Sequence, residues 1–477
     1  MQPYGKVFAA TLLTLMVNTI VSTGVRAESL RDIYELALEN DATLRAQEAQ
    51  YLAGLEDEKV ARAGLLPQAS ASYGLSNSDT DTTSPGVVSF VNGIPVIGPT
   101  FDNTDIDVNT FQVSLQQAIF DLPAWFSFKS GKELSKQVEA TFAANQQNLI
   151  VRVVEAYLAV LRAQDNLKAS RAREEAFGRQ LEQNQQRFEV GLIAITDVYE
   201  SQAAFDLARV DRIADENSVA VALENLTVLT GKRHDNLDVL VEGFAVKQPE
   251  PADRSAWVEF ALANNFNLKA AQYFEEAARQ TAKARRLAHA PTISGSVDYT
   301  DSETDGTRFQ DPAGIFNFPP DQERESTVWG VSLVMPLSSG GAVSAERRRA
   351  AQQFNAAREQ RINLTRQTVT DARSLHMTVI NDVERVAARR QSIKSSKSAL
   401  DATQAGYEVG TRNIVDVLNA QNTLFAAARD YANSRYDYIV NTLLLKEQAG
   451  LLSPEDIILL NSFLEPPPPP TSSSISQ

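Results

Sequence analysis

The chain contains no cysteine. That excludes disulfides, thiolate chemistry, cysteine-ligated metals and a lipid-modified N-terminal cysteine. Histidine is almost as scarce. His234, His289 and His376 lie far apart, with no metal-ligand spacing among them. No phosphate-cradling glycine loop and no nucleophile motif is present, so neither an enzyme nor a cofactor is expected. Long apolar runs are missing too. No segment approaches the ~18 consecutive apolar residues of a membrane-spanning helix. Positive charge is in deficit, with 45 Lys and Arg against 60 Asp and Glu, a net charge of −15. An acidic chain argues against a nucleic-acid partner. It suits a cation-favouring surface or lumen, and equally plain solubility.

What is present begins with an export signal. Lys6 opens a short basic region, Val7 to Val21 is mostly apolar, and Val25-Arg26-Ala27 is a small-residue cleavage site. The apolar stretch is broken by Thr11, Thr14, Asn18 and Thr19, so residues 1–27 read as a signal peptide and not as an anchor. Removing its two basic residues takes the net charge from −15 to −17. Export without a membrane helix leaves two classes: a soluble exported protein, or an outer-membrane protein that spans as strands.

The remaining chain reads as two copies of one pattern. Ala37-Leu38, Asn40, Leu44, Ala46 and Pro67 recur as Ala261-Leu262, Asn264, Leu268, Ala270 and Pro291. Val113-Ser114-Leu115 recurs as Val331-Ser332-Leu333. Phe188, Gly191, Asp197, Gln202 and Gly231 align with Tyr407, Gly410, Asp416, Gln421 and Gly450. Matches in constant order imply a tandem duplication, with residues 28–244 and 245–464 as the repeats and 465–477 as a disordered Pro/Ser tail.

Each half has the same expected layout. Ser29 is a good N-cap, and a helix is expected from Leu30 to Leu66, with a counterpart from about Ser255 to Ala290. Strands follow, because apolar residues alternate: Ala69, Ala71, Tyr73, Leu75; Phe111, Val113, Leu115, Ile119; Ile293, Gly295, Val297, Tyr299; and Trp329, Val331, Leu333, Met335, Leu337. Strands of about 10 residues suit a membrane barrel. Polar loops are expected near 77–105 and 301–325. Then come unusually long helices, about Pro123 to Val190 and Ala342 to Ala405, the second free of Gly and Pro. Each stops at Val-Gly, and a returning helix ends at Gly231 or Gly450.

Four strands cannot close a barrel, and an open sheet edge is not tolerated in lipid. The chain is therefore expected to share a barrel with copies of itself. Two copies give eight strands, which side chains fill; three give twelve and leave a lumen.

The doubled turns, EVGLIAITDVYESQ (189–202) and EVGTRNIVDVLNAQ (408–421), carry a family resemblance. With the strand pairs and long helices around them, they resemble the TolC family of outer-membrane channels over about Glu28 to Leu464. The resemblance implies a mixed α and β membrane protein, a homotrimer. Twelve transmembrane strands, four per chain, would continue into a long periplasmic α-helical barrel. Its implied role is a passive exit duct for multidrug efflux or type I protein secretion. A periplasmic adaptor protein and an inner-membrane transporter of RND or ABC type would open its periplasmic tip, with outer-membrane lipid around the strands. Carried onto this sequence, the gate would comprise Asp197 with Tyr407 and Thr196 with Arg412. Asp416 would form a pore-entrance ring. The position of a second acidic ring holds Asn419, which lowers the entrance charge. The turns Val190, Gly191, Leu192 and Val409, Gly410, Thr411 would dock the adaptor.

Three-fold symmetry turns each turn Asp into a ring of three that attracts cations. Plain capping of the following helix would also account for Asp197 and Asp416. Two other readings compete. An exported periplasmic coiled-coil scaffold without a pore would leave the alternating strands unexplained. An open porin would have no use for the Asp197–Tyr407 and Thr196–Arg412 sets.

Overall fold

A computed structural model describes residues 27–312 and 320–467. The signal sequence apart from Ala27, and the tail beyond residue 467, lie outside the described residues. The first half runs α1 (Leu30–Asn40), α2 (Ala42–Ala63), β1 (Gln68–Val91), β2 (Ile94–Phe120), α3 (Leu122–Glu189) and α4 (Ile195–Thr230). After the short β3 (Val239–Leu240), the same order returns: α5 (Arg254–Asn264), α6 (Phe266–Arg286), β4 (Thr292–Asp311), β5 (Gln322–Val334), α7 (Ala342–Glu408) and α8 (Ile414–Gln448). The chain closes with α9 (Pro454–Asn461) and β6 (Leu464–Glu465).

Neither front helix is continuous. Asp41 caps α2 by accepting from the N–H groups of Thr43 and Leu44, both at 3.2 Å. Asn265 does the same for α6, accepting from the Leu268 N–H at 2.9 Å. An Asx side chain that offers the backbone a local acceptor interrupts a helix here, and helical composition alone does not reveal it. The single helices expected over 30–66 and 255–290 are thus each two.

The long helices behave as their composition dictates. α3 has 68 residues and α7 has 67, about 100 Å each at ~1.5 Å per residue. A shorter pair lies end to end along each. α2 covers the upper part of α3 and α4 covers the lower part. Small residues let α2 close in: an added Cβ on Gly131 would sit 2.5 Å from the Ala61 methyl and 2.9 Å from the Asp57 carbonyl. The returning helices end in left-handed glycines, Gly231 at φ 70° and Gly450 at φ 68°. Gly450 abuts Asn264 so closely that a Cβ would lie 2.5 Å from its carbonyl.

The main apolar core sits halfway down these columns. Leu149 to Ala163 of α3 pack with Leu30 and Ile33 of α1, Leu226 of α4, Trp257 of α5, Tyr436 and Leu445 of α8 and Ile457 of α9. β3 and β6 pair here, with Val239 opposite Glu465. Glu465, the first residue of the expected tail, is thus paired in β6, and the rest of that tail beyond residue 467 lies outside the described residues. His234 is buried against Thr230 (2.6 Å) and the Glu28 carboxylate. Together with the Glu28 N–H bond to the Asn236 carbonyl, this pins Glu28 to the core.

The four long strands form one antiparallel sheet in the order β1-β2-β4-β5. They are much longer than expected. β1 and β2 have 24 and 27 residues and meet at Asn92-Gly93, both with positive φ. The stretch 77–105 is paired strand, not loop, and so is most of 301–311 and 322–325; residues 313–319 are outside the described set. The register shows where the fourth strand stops. Gln322 of β5 faces Thr304, Thr304 faces Val108, and Val108 faces Ser76. Only below that level do all four strands run side by side, about nine residues of β1. Beyond it, β1, β2 and β4 continue as a polar ladder. Asn77 bridges Asp105 and Asp107, and Asn103 bridges Asp79 and Asp81. The four-strand band carries the exposed apolar side chains Tyr73, Leu75, Val331, Leu333 and Trp329, the last 80% exposed.

Candidate functional site at the doubled turns

At the far end of the helices from the sheet, two turns of the same construction lie side by side. In the first, the Gly191 N–H bonds to the Phe188 carbonyl and the Leu192 N–H to the Arg187 carbonyl, each at 2.8 Å. In the second, the Gly410 N–H bonds to the Tyr407 carbonyl at 3.1 Å and the Thr411 N–H to the Gly406 carbonyl at 2.9 Å. Both are Schellman closures, which need a left-handed residue just past the cap. Gly191 (φ 75°) and Gly410 (φ 79°) supply it. The turns hold apolar side chains in the open: Val190 and Leu192 are each 69% exposed and Val409 75%.

The two turn aspartates occupy the same place, the third residue of the following helix, in different company. Asp416 completes a capping box. Its N–H bonds to Asn413 Oδ1 at 2.8 Å, and its carboxylate accepts from the Asn413 N–H at 3.4 Å. Arg412 Nη1 lies 3.8 Å from the same carboxylate. Asp197 follows Ala194, which caps with no side chain. Among the described residues its carboxylate accepts only from the neighbouring Thr196 hydroxyl, at 3.4 Å. Capping thus occupies Asp416 and leaves Asp197 available.

Within one chain, among the described residues, no hydrogen bond joins Asp197 to Tyr407 or Thr196 to Arg412. The Tyr407 hydroxyl instead donates to Asn184 Oδ1 at 3.4 Å. Asn184, fully buried, is the hub of the tip. It accepts from Gln180 Nε2 at 3.1 Å and donates to the Ser201 hydroxyl at 2.7 Å. Ser201 in turn donates to the Asp197 carbonyl at 2.8 Å. Three of the four tip helices, α3, α4 and α7, are tied through this one amide. The Arg187 guanidinium stacks 5.4 Å from the Tyr407 ring centre. Burial pushes the Tyr407 phenol up; Arg187 opposes that shift and the Asp197 carboxylate adds to it. The tyrosine is therefore a neutral donor at physiological pH. Gly406 leaves room for the Arg412 stem, since a Cβ there would lie 2.8 Å from Arg412 Cγ.

The apolar core beneath is small: Phe177, Ala208, Ile414, Val417 and Leu418, flanked by Phe205 and Tyr407. Asn419 lines a cleft of about 270 Å³ beside Phe177 and Leu418. Compared with the mid-helix core, the tip is held by few apolar contacts and one polar network. Such a region opens at lower cost than the rest.

Asn184, Gln180, Ser201 and Arg187 were not among the expected site residues. The repeat does carry a signal for them. Their counterparts in the second half are Thr403, Ala399, Ala420 and Gly406. The network sits where the two copies diverge, whereas the search for a site followed where they agree.

Known proteins resemble this chain over most of its length. The chain is similar to outer membrane protein TolC of Vibrio cholerae, 34% identical over 95% of this chain and 98% of that protein. It is also similar to the alkaline protease secretion protein AprF of Pseudomonas aeruginosa, 29% identical over 94% and 89%. Its fold matches the crystal structure of the outer membrane protein VceC from Vibrio cholerae, TM-score 0.70 and 17% identity over 88% of this chain and 96% of that one. The sequence profile of the outer membrane efflux protein family matches residues 33–232 and again 257–450, one stretch in each half and each containing one of the turns. With both turns, both strand pairs and both helical columns inside those matches, the chain belongs to the outer membrane efflux protein family.

Proposed function

We propose that this chain is the outer-membrane exit duct of efflux or type I secretion assemblies, a passive homotrimeric channel closed at its periplasmic tip. The carrying observation is the sheet. Its four apolar strands end in two unpaired edges, β1 and β5, which lipid does not tolerate. Three copies joined edge to edge supply twelve strands and a lumen. The helices then form a periplasmic tube with the doubled turns at its end. The two repeats, 28–244 and 245–464, each supply half of every subunit's wall. Relatives named for toluene efflux and for protease secretion support a duct that serves either kind of cargo.

At the tip, Asp197 is the free acceptor for Tyr407, and Thr196 for Arg412, once neighbouring helices close in. The apolar turns Val190-Gly191-Leu192 and Val409-Gly410-Thr411 receive a periplasmic adaptor. That adaptor is coupled to an inner-membrane transporter of RND or ABC type, which supplies the energy. The pore needs no catalytic group. The scaffold alternative finds no support in the strands, whose apolar faces would be left in water.

The test is removal of the chain from the cell that makes it. Sensitivity to detergents and hydrophobic antibiotics should rise, or export of a secreted polypeptide should stop, and restoring the chain should reverse the defect. A cell unaffected in both respects would refute the duct.

The entrance ring makes a separate prediction. Asp416→Asn keeps an acceptor for the capping box but removes three like charges from the trimer. The reversal potential across a salt gradient should move toward zero, signalling weaker cation preference. An unmoved potential would place the selective charge elsewhere.

A further inference from the structure

Cations in this acidic chain are not evenly spread. They concentrate where the strands meet the helices. Lys129 and Lys132 lie in the first turns of α3, Lys283 and Arg286 in the last turn of α6, and Arg347 and Arg348 near the start of α7. All six fall within about 15 Å of the sheet-side end of their helix at ~1.5 Å per helical residue. None has a carboxylate at ion-pair distance among the described residues. Their neighbours Arg285 and Arg349 both turn to the single Glu346, at 3.3 and 3.4 Å. Arg347 and Arg348 are consecutive and exposed, so they point about 100° apart around the helix.

Aromatic rings accompany them. Trp125 is 44% exposed, with Lys129 Nζ 5.4 Å from its ring centre and 5.5 Å from that of Phe126. Lys283 reaches Phe126 from the other side at 5.7 Å. An amphipathic ring beside unpaired cations, directly below lipid-facing strands, is the pattern of a membrane–water interface. The opposite end of the same strands is acidic, with Asp79, Asp81, Asp105, Asp107, Glu303 and Asp305. Charge therefore separates along the molecule, with base on the helical side of the membrane and acid on the far side.

We propose that this junction is a binding collar for anionic phospholipid headgroups of the periplasmic leaflet. Lysines and arginines without a carboxylate at ion-pair distance would each meet a lipid phosphate, and Trp125 with Phe126 would seat the glycerol region beside them. Each cation near an anionic lipid surface contributes measurably to attraction. The acidic far end disfavours phosphate-bearing lipid of the outer leaflet. The assignment rests on the reading that the helices face the periplasm and does not require the gate.

The test compares the purified trimer with its Arg286→Gln/Arg347→Gln/Arg348→Gln variant. Both are incubated in mixed micelles with phosphatidylglycerol or phosphatidylcholine, and retained lipid is counted by native mass spectrometry. The wild type should keep phosphatidylglycerol over phosphatidylcholine. The glutamine variant should lose about tenfold or more in retention, while the corresponding triple lysine variant keeps it. Equal retention of the two lipids by the wild type, or undiminished retention by the glutamine variant, would overturn the collar. Displacement by millimolar inorganic phosphate would assign the site to a free anion, and preference for lipopolysaccharide would assign it to the other leaflet; either result overturns it. If the triple variant fails to assemble, Lys129→Gln/Lys132→Gln carries the same comparison. Bilayer conductance of each preparation reports separately whether the duct itself is intact.

Discussion

Asn184→Ala raises the resting conductance of the reconstituted channel several-fold. The side chain is fully buried and satisfies Gln180, Ser201 and Tyr407 at once. Truncation leaves these polar groups without their shared partner inside the tip. Each buried group left unsatisfied costs about 1–3 kcal/mol, and in the proposed trimer the loss recurs in every subunit. The tip core of five buried apolar residues offers little to offset it. The mid-helix core, far along α3, is untouched, so the subunit fold is kept. Single-channel recording beside a thermal melt separates the effects: conductance rises while the midpoint moves little. Unchanged conductance with a lowered midpoint would make Asn184 a packing residue and not part of the closure.

Asp41→Ala has the opposite signature, a large loss of stability with little change in conductance. Asp41 is buried at the joint between α1 and α2 and accepts from Arg152 Nη2 at 2.5 Å besides capping α2. Removing Asp41 leaves the Arg152 charge without its partner, and because Arg152 is partly exposed the cost lies below the ~3–5 kcal/mol of a fully buried pair. The pH dependence follows from the same geometry. Burial alone would raise the Asp41 carboxyl, but Arg152 and the Thr43 and Leu44 N–H groups outweigh it and hold it below the usual range. A depressed folded value means the stabilisation is complete above the unfolded carboxyl value, ~3.9, and is lost as pH falls through the folded one. The gap between wild-type and variant melting points should be widest at neutral pH and close below about pH 4. A gap independent of pH would remove the ion pair from the explanation.

Much of this molecule is legible in its sequence, for physical reasons that differ by region. The long helices declare themselves because helix-forming composition runs unbroken from Ala342 to Ala405. The Val-Gly turns do so because only glycine sits comfortably at their left-handed position. The membrane band shows because lipid demands an apolar face on alternate residues. The polar hairpin above it has no such demand. DTDTTSPG and DNTDID pair through backbone and Asn–Asp bonds, so they read as loop. The clue was Asn92-Gly93 between apolar runs, a strong two-residue hairpin signal. Asp41 and Asn265 broke their helices because capping competes locally with propensity. The tip network is the least legible part. The sequence locates the turns, but Tyr407 meets Asn184 across 223 positions, a distance no local pattern bridges.

The central claim is a duct whose constriction lies at the doubled turns. Its most direct test is single-channel conductance in a planar bilayer, wild type beside Tyr407→Phe/Arg412→Ser. The expected result is a low, cation-selective conductance for the wild type that rises severalfold in the double variant. A large conductance in both would contradict the gate, and no conductance from either would contradict the channel.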